Sequence, residues 1–235
     1  MRASRTYSNS ATFKIFAERD LGELLRQRSQ DMIDYINGHD ENYVLTVAEV
    51  EFVDHVTVQY MIEPPSLQFD DIYVDTYIKA VPGAPAPSLF PQANRPNPYT
   101  QVETQALVFH IPFTGNAEVL RCRPSTWQMR TWEMIIDGHD LCFELVDLQD
   151  DATNLGRQKD EISDTARMNA PTAIREVRQF NDGLRAQVES AFRVRKQLFL
   201  KRRNTVAALG VPLKRRNDLL RGLVGVQRSP LSAVM

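Results

Sequence analysis

The chain has 235 residues, 43% of them apolar and 25% charged, which is enough to bury a core without disulfide or metal staples and excludes a wholly disordered protein. Two cysteines, Cys122 and Cys142, form no CxxC pair and no disulfide framework, which points to a reducing, cytoplasmic setting. No apolar run approaches the roughly 20 residues a helix needs to cross a bilayer. The formal net charge of −2 conceals a division: residues 193–235 hold 11 Lys and Arg against the single acid Asp218, leaving 17 against 29 for residues 1–192.

The opening MRASRTYSNSATFKIF carries Arg2, Arg5 and Lys14 with no acid before Glu18, a composition shared with organellar transit peptides. Tyr7, Ala11, Phe13 and Ile15 keep strand spacing, and we read a first strand here. Asp20, with Glu23 three residues on, then predicts a capped helix over about 20–37, carried by Leu21, Leu24, Leu25, Met32, Ile33 and Ile36 and stopped at Gly38. From Tyr43 to Ile62 the apolar residues share one parity, interrupted at Asp54. This predicts two half-buried antiparallel strands broken near Asp54 and His55. Another strand is expected over about Ile72–Val81, after the Pro64-Pro65 turn.

Residues 82–101 contain six prolines and admit no regular structure; such a loop is a surface insertion or a partner-binding arm. The stretch LVFHIPFTGNAEVLRCRPST, residues 107–126, reads as a hairpin with Gly115-Asn116 at its tip. That pairing sets Phe113 against Glu118, Phe109 against Cys122 and His110 against Arg121, with Cys122 on the apolar face. WEMIIDGHDLCFELVD, residues 132–147, repeats the design. Trp132, Met134, Ile136, Leu141, Phe143 and Leu145 line one face, with either Asp137-Gly138 or Gly138-His139 as the central turn pair.

Beyond Asp147 the pattern turns helical. Residues 150–165 read as a linker or a solvent-facing helix, and Pro171 fits a first helical position. Ile174, Val177, Leu184, Val188, Phe192, Leu198 and Phe199 then recur at intervals that predict a helix over about 171–208 with an apolar seam, the candidate interface for assembly. Gly210 and Pro212 mark its end. The expected organisation is an α+β domain with an antiparallel sheet and one N-terminal helix over 1–150, a long helix or helical hairpin over 151–212, and a basic tail over 213–235.

No phosphate-loop, dinucleotide-binding or nucleophile-elbow motif is present, so no catalytic residue and no cofactor is assigned. A metal set of His110, Cys122, His139 and Cys142 lacks ligand spacing, and Cys142 as a nucleophile would need a base that chain order does not reveal. Asp70, Asp71, Asp75 and Lys79, with Glu49 and Glu51, suggest the acid-plus-lysine sets of metal-dependent nucleases without matching their order. The strongest chemical signal is basic. Arg193, Arg195, Lys196, Lys201, Arg202 and Arg203 crowd the end of the long helix, and Lys214, Arg215 and Arg216 follow it. They would contact nucleic acid or another polyanion, or else neutralise acidic surface of the same protein or a neighbouring subunit.

Three strings, IPFTGNAEVLRCRPST (111–126), Phe180-Asn181 followed by Leu184, and ALGVPLKRR (208–216), resemble an uncharacterised bacterial module found ahead of TIR or nuclease-type effector domains in predicted antiviral-defence proteins. Here about 19 residues follow the third string, so the resemblance implies a module standing alone, a non-enzymatic accessory subunit that works with a second copy or a separately encoded effector. The alternative expectation is a nucleic-acid-binding protein that uses the basic region, with or without nuclease activity.

Overall fold

The computed structural model describes residues 12–82, 101–147 and 151–210. Within them the chain is an α+β protein. Its elements run β1 (Phe13–Lys14), β2 (Arg19–Asp20), α1 (Leu21–Gly38), α2 (Glu41–Thr46), α3 (Glu49–Tyr60), β3 (Ser66–Leu67), β4 (Tyr73–Pro82), β5 (Gln101–Thr114), β6 (Cys122–Arg123), β7 (Glu133–Asp137), β8 (Asp140–Asp147) and α4 (Ala152–Ala208). The six-stranded antiparallel sheet is centred on β5, which has β8 on one side and β3 and β4 end to end on the other; β7 and β1 complete the far side.

The Asp20 carboxylate accepts from the Glu23 backbone N–H at 3.0 Å, so α1 starts where its cap predicts. The two strands expected over 43–62 are instead α2 and α3. Phe52, Val53, Val56 and Tyr60 are buried at helical spacing, whereas Val50 and Val58, which a strand would have buried, are 66% and 73% exposed. The β-branched residues that favour a strand are outweighed by packing against other helices, by Asp40 capping α2 through the Tyr43 N–H, and by Glu49 and Glu51 at the dipole-positive start of α3. Three N-terminal helices therefore stand where one was expected.

The hairpin expected over 107–126 is also replaced. Gly115 takes a positive φ of 87°, but the chain does not return along β5. Asn116 caps a short 3₁₀ turn over Ala117–Arg121, and β6 then pairs in parallel with β2. Longer strands occupy both edges of β5. Phe113 accordingly faces Leu67 rather than Glu118, Phe109 faces Val74 and Phe143 rather than Cys122, and His110 faces Tyr73 and Cys142 rather than Arg121. Cys122 is nonetheless fully buried, as its apolar-face assignment implies. The 132–147 hairpin forms with Gly138-His139 as its central pair, and β4 lies within a residue of its expected span. Residues 83–100, the body of the proline-rich segment, lie outside the described residues, as do 1–11, which include Tyr7 and Ala11.

The long helix has 57 residues, about 85 Å at ~1.5 Å per residue, and begins well before Pro171, which lies inside it. An interior proline removes one intrahelical hydrogen bond, the one its N–H would give to the Arg167 carbonyl. Two cores form along α4. Ile162, Ala166, Ala170, Ala173 and Val177 pack on the sheet face of Ile111, Phe113, Met134, Leu141 and Phe143. Leu184, Val188, Phe192 and Phe199 pack on Met32, Ile36, Val44, Phe52, Val53 and Val56 of α1 to α3. Both cores straddle the boundary expected at residue 150.

Phe180 touches both cores, and Asn181 stands at their junction. Its side-chain amide accepts from the Ile62 N–H at 3.0 Å and donates to the Ile62 carbonyl at 2.7 Å. Ile62 is 3% exposed, where α3 gives way to the strands, so its two backbone groups need partners. Replacing Asn181 by Ala should therefore lower stability by about 2–4 kcal/mol in urea denaturation. Gly115 supplies a second check, because a Cβ there would collide with the Pro64 carbonyl, whereas one at Gly138 (φ +63°) would meet nothing within 4 Å. Gly115→Ala should cost about 2–5 kcal/mol and Gly138→Ala about 1–2 kcal/mol, measured the same way.

Candidate functional site

Strand alternation places Tyr73, Asp75, Tyr77 and Lys79 of β4, His110 of β5, and Asp140, Cys142 and Glu144 of β8 on the sheet face opposite the α4 core. His110 is 3% exposed, and the Tyr73 ring stacks on it at 4.5 Å with an 8° tilt. Its Nδ1 lies 3.2 Å from Cys142 Sγ and 3.7 Å from Asp140 Oδ2, and its Nε2 lies 3.6 Å from Asp75 Oδ2. The Tyr73 hydroxyl donates to Asp140 at 2.6 Å, while Tyr77 and Lys79 both donate to Glu144.

Asp75, His110 and Cys142 thus line up in the order of an orienting acid, a base and a nucleophile, the arrangement that chain order left hidden. The local field opposes that chemistry. Burial, and then the carboxylates of Asp140, Asp137 and Asp75, push the Cys142 thiol up to about 12, the reverse of the depression a nucleophilic cysteine requires. Tyr73 is also raised, first by its hydrogen bond to Asp140. The cluster acts as a polar clasp that ties β4, β5 and β8 together. The other members of the imagined metal set are elsewhere: Cys122 accepts from Arg19 at 3.2 Å beside β2, and His139 sits at an exposed turn. Among the described residues no group of three or more His, Cys, Asp or Glu is arranged to hold a metal ion.

The nuclease-like set is divided between the two halves of the molecule. Asp70 and Asp71 occupy a short 3₁₀ turn, and Asp75 and Lys79 lie on β4, but Glu49 and Glu51 open α3. Glu49 pairs there with Lys196 at 3.0 Å and Arg193 at 3.6 Å.

Those pairs also change the reading of the basic region. Arg193 contacts Glu189 as well, Arg203 pairs with Glu41 at 3.5 Å, and Arg195 donates to the His39 carbonyl while lying over the Phe199 ring. Lys201 and Arg202 are exposed and make no ion pair among the described residues; Lys214, Arg215 and Arg216 lie outside them. Half of the helix-borne cations are therefore met by acids of the chain itself.

Of the seam residues, Val177, Leu184, Val188, Phe192 and Phe199 are buried within the chain and Ile174 is half-buried against the sheet core. Leu198 is different. With Val194 and Leu209 it forms a second stripe about a quarter-turn from the seam; Val194, Leu198 and Leu209 are 65%, 39% and 68% exposed respectively. Periodicity did not separate this stripe from the seam, although the spacing of Val194, Leu198 and Leu209 at four and eleven residues carries it. A depression of about 440 Å³ is lined, among the described residues, by α4 alone, including Pro171, Ile174, Arg175 and Arg178, and is a surface groove rather than a cleft. No helix among the described residues is long and apolar enough to cross a membrane.

No family model, no curated protein and no solved structure matches the chain.

The thiols give a direct check on the clasp. In the folded protein neither Cys142 nor Cys122, which burial also raises, should react with a thiol reagent at pH 8, and both should react in denaturant; fast native labelling of Cys142 would show that the clasp is open. A thiol with a raised folded pKa ionises first in the unfolded chain. Its contribution to stability is therefore complete below the ordinary thiol pKa of roughly 8.5 and is lost as the pH climbs from there toward 12. Urea midpoints should fall over that range, and less steeply in Cys142→Ala.

Proposed function

We propose that the protein is a non-enzymatic interaction module that assembles through the end of its long helix, and that it serves as an accessory subunit of a bacterial antiviral-defence system of the kind its motif strings resemble. The observation that supports assembly is the stripe of Val194, Leu198 and Leu209. It runs on past Phe199, the last seam residue the bundle buries, to Leu209, which caps α4, and residues 200–205 are all exposed. Apolar residues at helical spacing on a helix end are suited to a partner helix, either of a second copy or of an effector chain. Lys201 and Arg202 beside the stripe favour an acidic rim on that partner.

The second reading, nucleic-acid binding by the basic end, draws on the same two exposed cations. It is weakened by the internal pairing of Arg193, Lys196 and Arg203. One experiment separates the two. Light scattering at low and high salt, with and without mixed-length duplex DNA, should show an assembly, alone or with a co-purifying chain, that is indifferent to DNA. Changing Val194, Leu198 and Leu209 to Glu should weaken it about 100-fold or more with unchanged circular dichroism, since burying each native side chain contributes about 1.5–3 kcal/mol. A monomer at every concentration with no companion chain would reject the module reading. A complex that forms only with DNA, dissolves in salt and is lost in Lys201→Glu/Arg202→Glu would put the second reading in its place.

A further inference from the structure

Strand β4 has ten residues and, among the described residues, pairs with β5 alone, so within the described sheet its other side is an edge. Long edge strands invite pairing with another chain, and proteins commonly guard them with charges. Two charged residues lie on β4, Asp75 and Lys79, on the same face and two residues either side of Tyr77. Their order is self-complementary. If a second β4 runs antiparallel beside the first with Tyr77 facing its own counterpart, Asp75 of each copy falls opposite Lys79 of the other.

The same register works on the reverse face. It sets Thr76 opposite Ile78 and Val74 opposite Ala80, placing each Ile78, 66% exposed, and each Val74, 45% exposed, beside a small or β-branched neighbour from the other copy. Shifting the axis by one residue loses both charge pairs, and moving it onto Asp75 or Lys79 brings like charges together. The Asp75 side chain is 70% exposed and that of Lys79 38%, so both are accessible. Lys79, already bonded to Glu144 of its own chain, would then lie between two carboxylates.

From this charge order we infer that β4 is a self-docking edge: two copies pair β4 to β4 about a two-fold axis through Tyr77 and form one continuous sheet. The inference deepens the assembly reading by naming a partner, a second copy, yet uses a surface separate from the α4 stripe. Its test is therefore run on the full chain carrying the Val194, Leu198 and Leu209 to Glu changes, which remove association through α4 and leave β4 untouched.

Sedimentation equilibrium at low salt should show a dimer in that background. Asp75→Lys puts lysine opposite lysine and Lys79→Asp puts aspartate opposite aspartate, and each alone should weaken dimerisation about tenfold or more. Mixing the two variants sets the paired lysines of one copy against the paired aspartates of the other, and should restore a dimer made of one copy of each. Circular dichroism and thermal melts confirm that each variant is folded. A background protein that stays monomeric, or folded variants that dimerise like the background and gain nothing on mixing, would overturn the β4 inference without touching the α4 reading; loss of all association on the α4 changes alone would do the same.

Discussion

The apolar seam of α4 is buried twice along its length, once against a sheet and once against three helices, and the rest of the fold is arranged to make that double use compatible. The buried residues of α4 form one continuous seam, so the sheet and the bundle lie along the same side of it, one after the other. The chain between them has to cross from helix to strand beside that stripe. Ile62 marks the crossing, and its backbone polar groups, out of reach of either regular ladder, are met by the amide of Asn181. A polar residue in an apolar seam looks like a defect in sequence. In the fold it joins two cores, while Phe180 beside it contributes to both.

Charge follows the same logic. The division between an acidic body and a basic end is in part an internal arrangement, because α2 and α3 bring Glu41 and Glu49 to the basic turns of α4. Exposed pairs of this kind each contribute little to stability, at most about 1 kcal/mol. Each cation paired in this way nonetheless has less to offer a polyanion. The polar face of the sheet behaves in a comparable way. Side chains with catalytic-looking chemistry satisfy one another, and burial, with the nearby carboxylates adding to it, holds the thiol protonated.

How much of this is legible in the sequence depends on whether local signals agree with tertiary ones. The Asp20 cap, the 132–147 hairpin with its Gly138 turn, β4 and the apolar seam of α4 are all determined by nearest neighbours, and the pattern of residues predicts each of them. The 43–62 segment misleads because its alternating β-branched residues satisfy a strand pattern, while the helical set of Phe52, Val53, Val56 and Tyr60 gains its meaning only against Leu184, Val188 and Phe192, which lie far along the chain. Gly115 and Asn116 do occupy a turn, but a turn does not specify the strand that follows. His110 and Cys142 each fall on a strand as expected; their adjacency needs the β5 to β8 register, which no local pattern encodes. Pro171 mimics a helix start because prolines are disfavoured in helix interiors, a preference that the packing of α4 on the sheet overrides.

The topology of α4 also bears on the order of events during synthesis. Helices α1 to α3 leave the ribosome first, yet the residues that complete their core, Leu184 to Phe199, are made more than a hundred positions later, after the whole sheet. Until then Met32, Ile36, Phe52 and Val56 have no permanent cover. The nascent helices α1 to α3 thus present a sticky, unfinished surface until α4 is made, and contacts so distant in sequence slow folding. A chain built this way has reason to rely on chaperones that hold its early helices until α4 arrives.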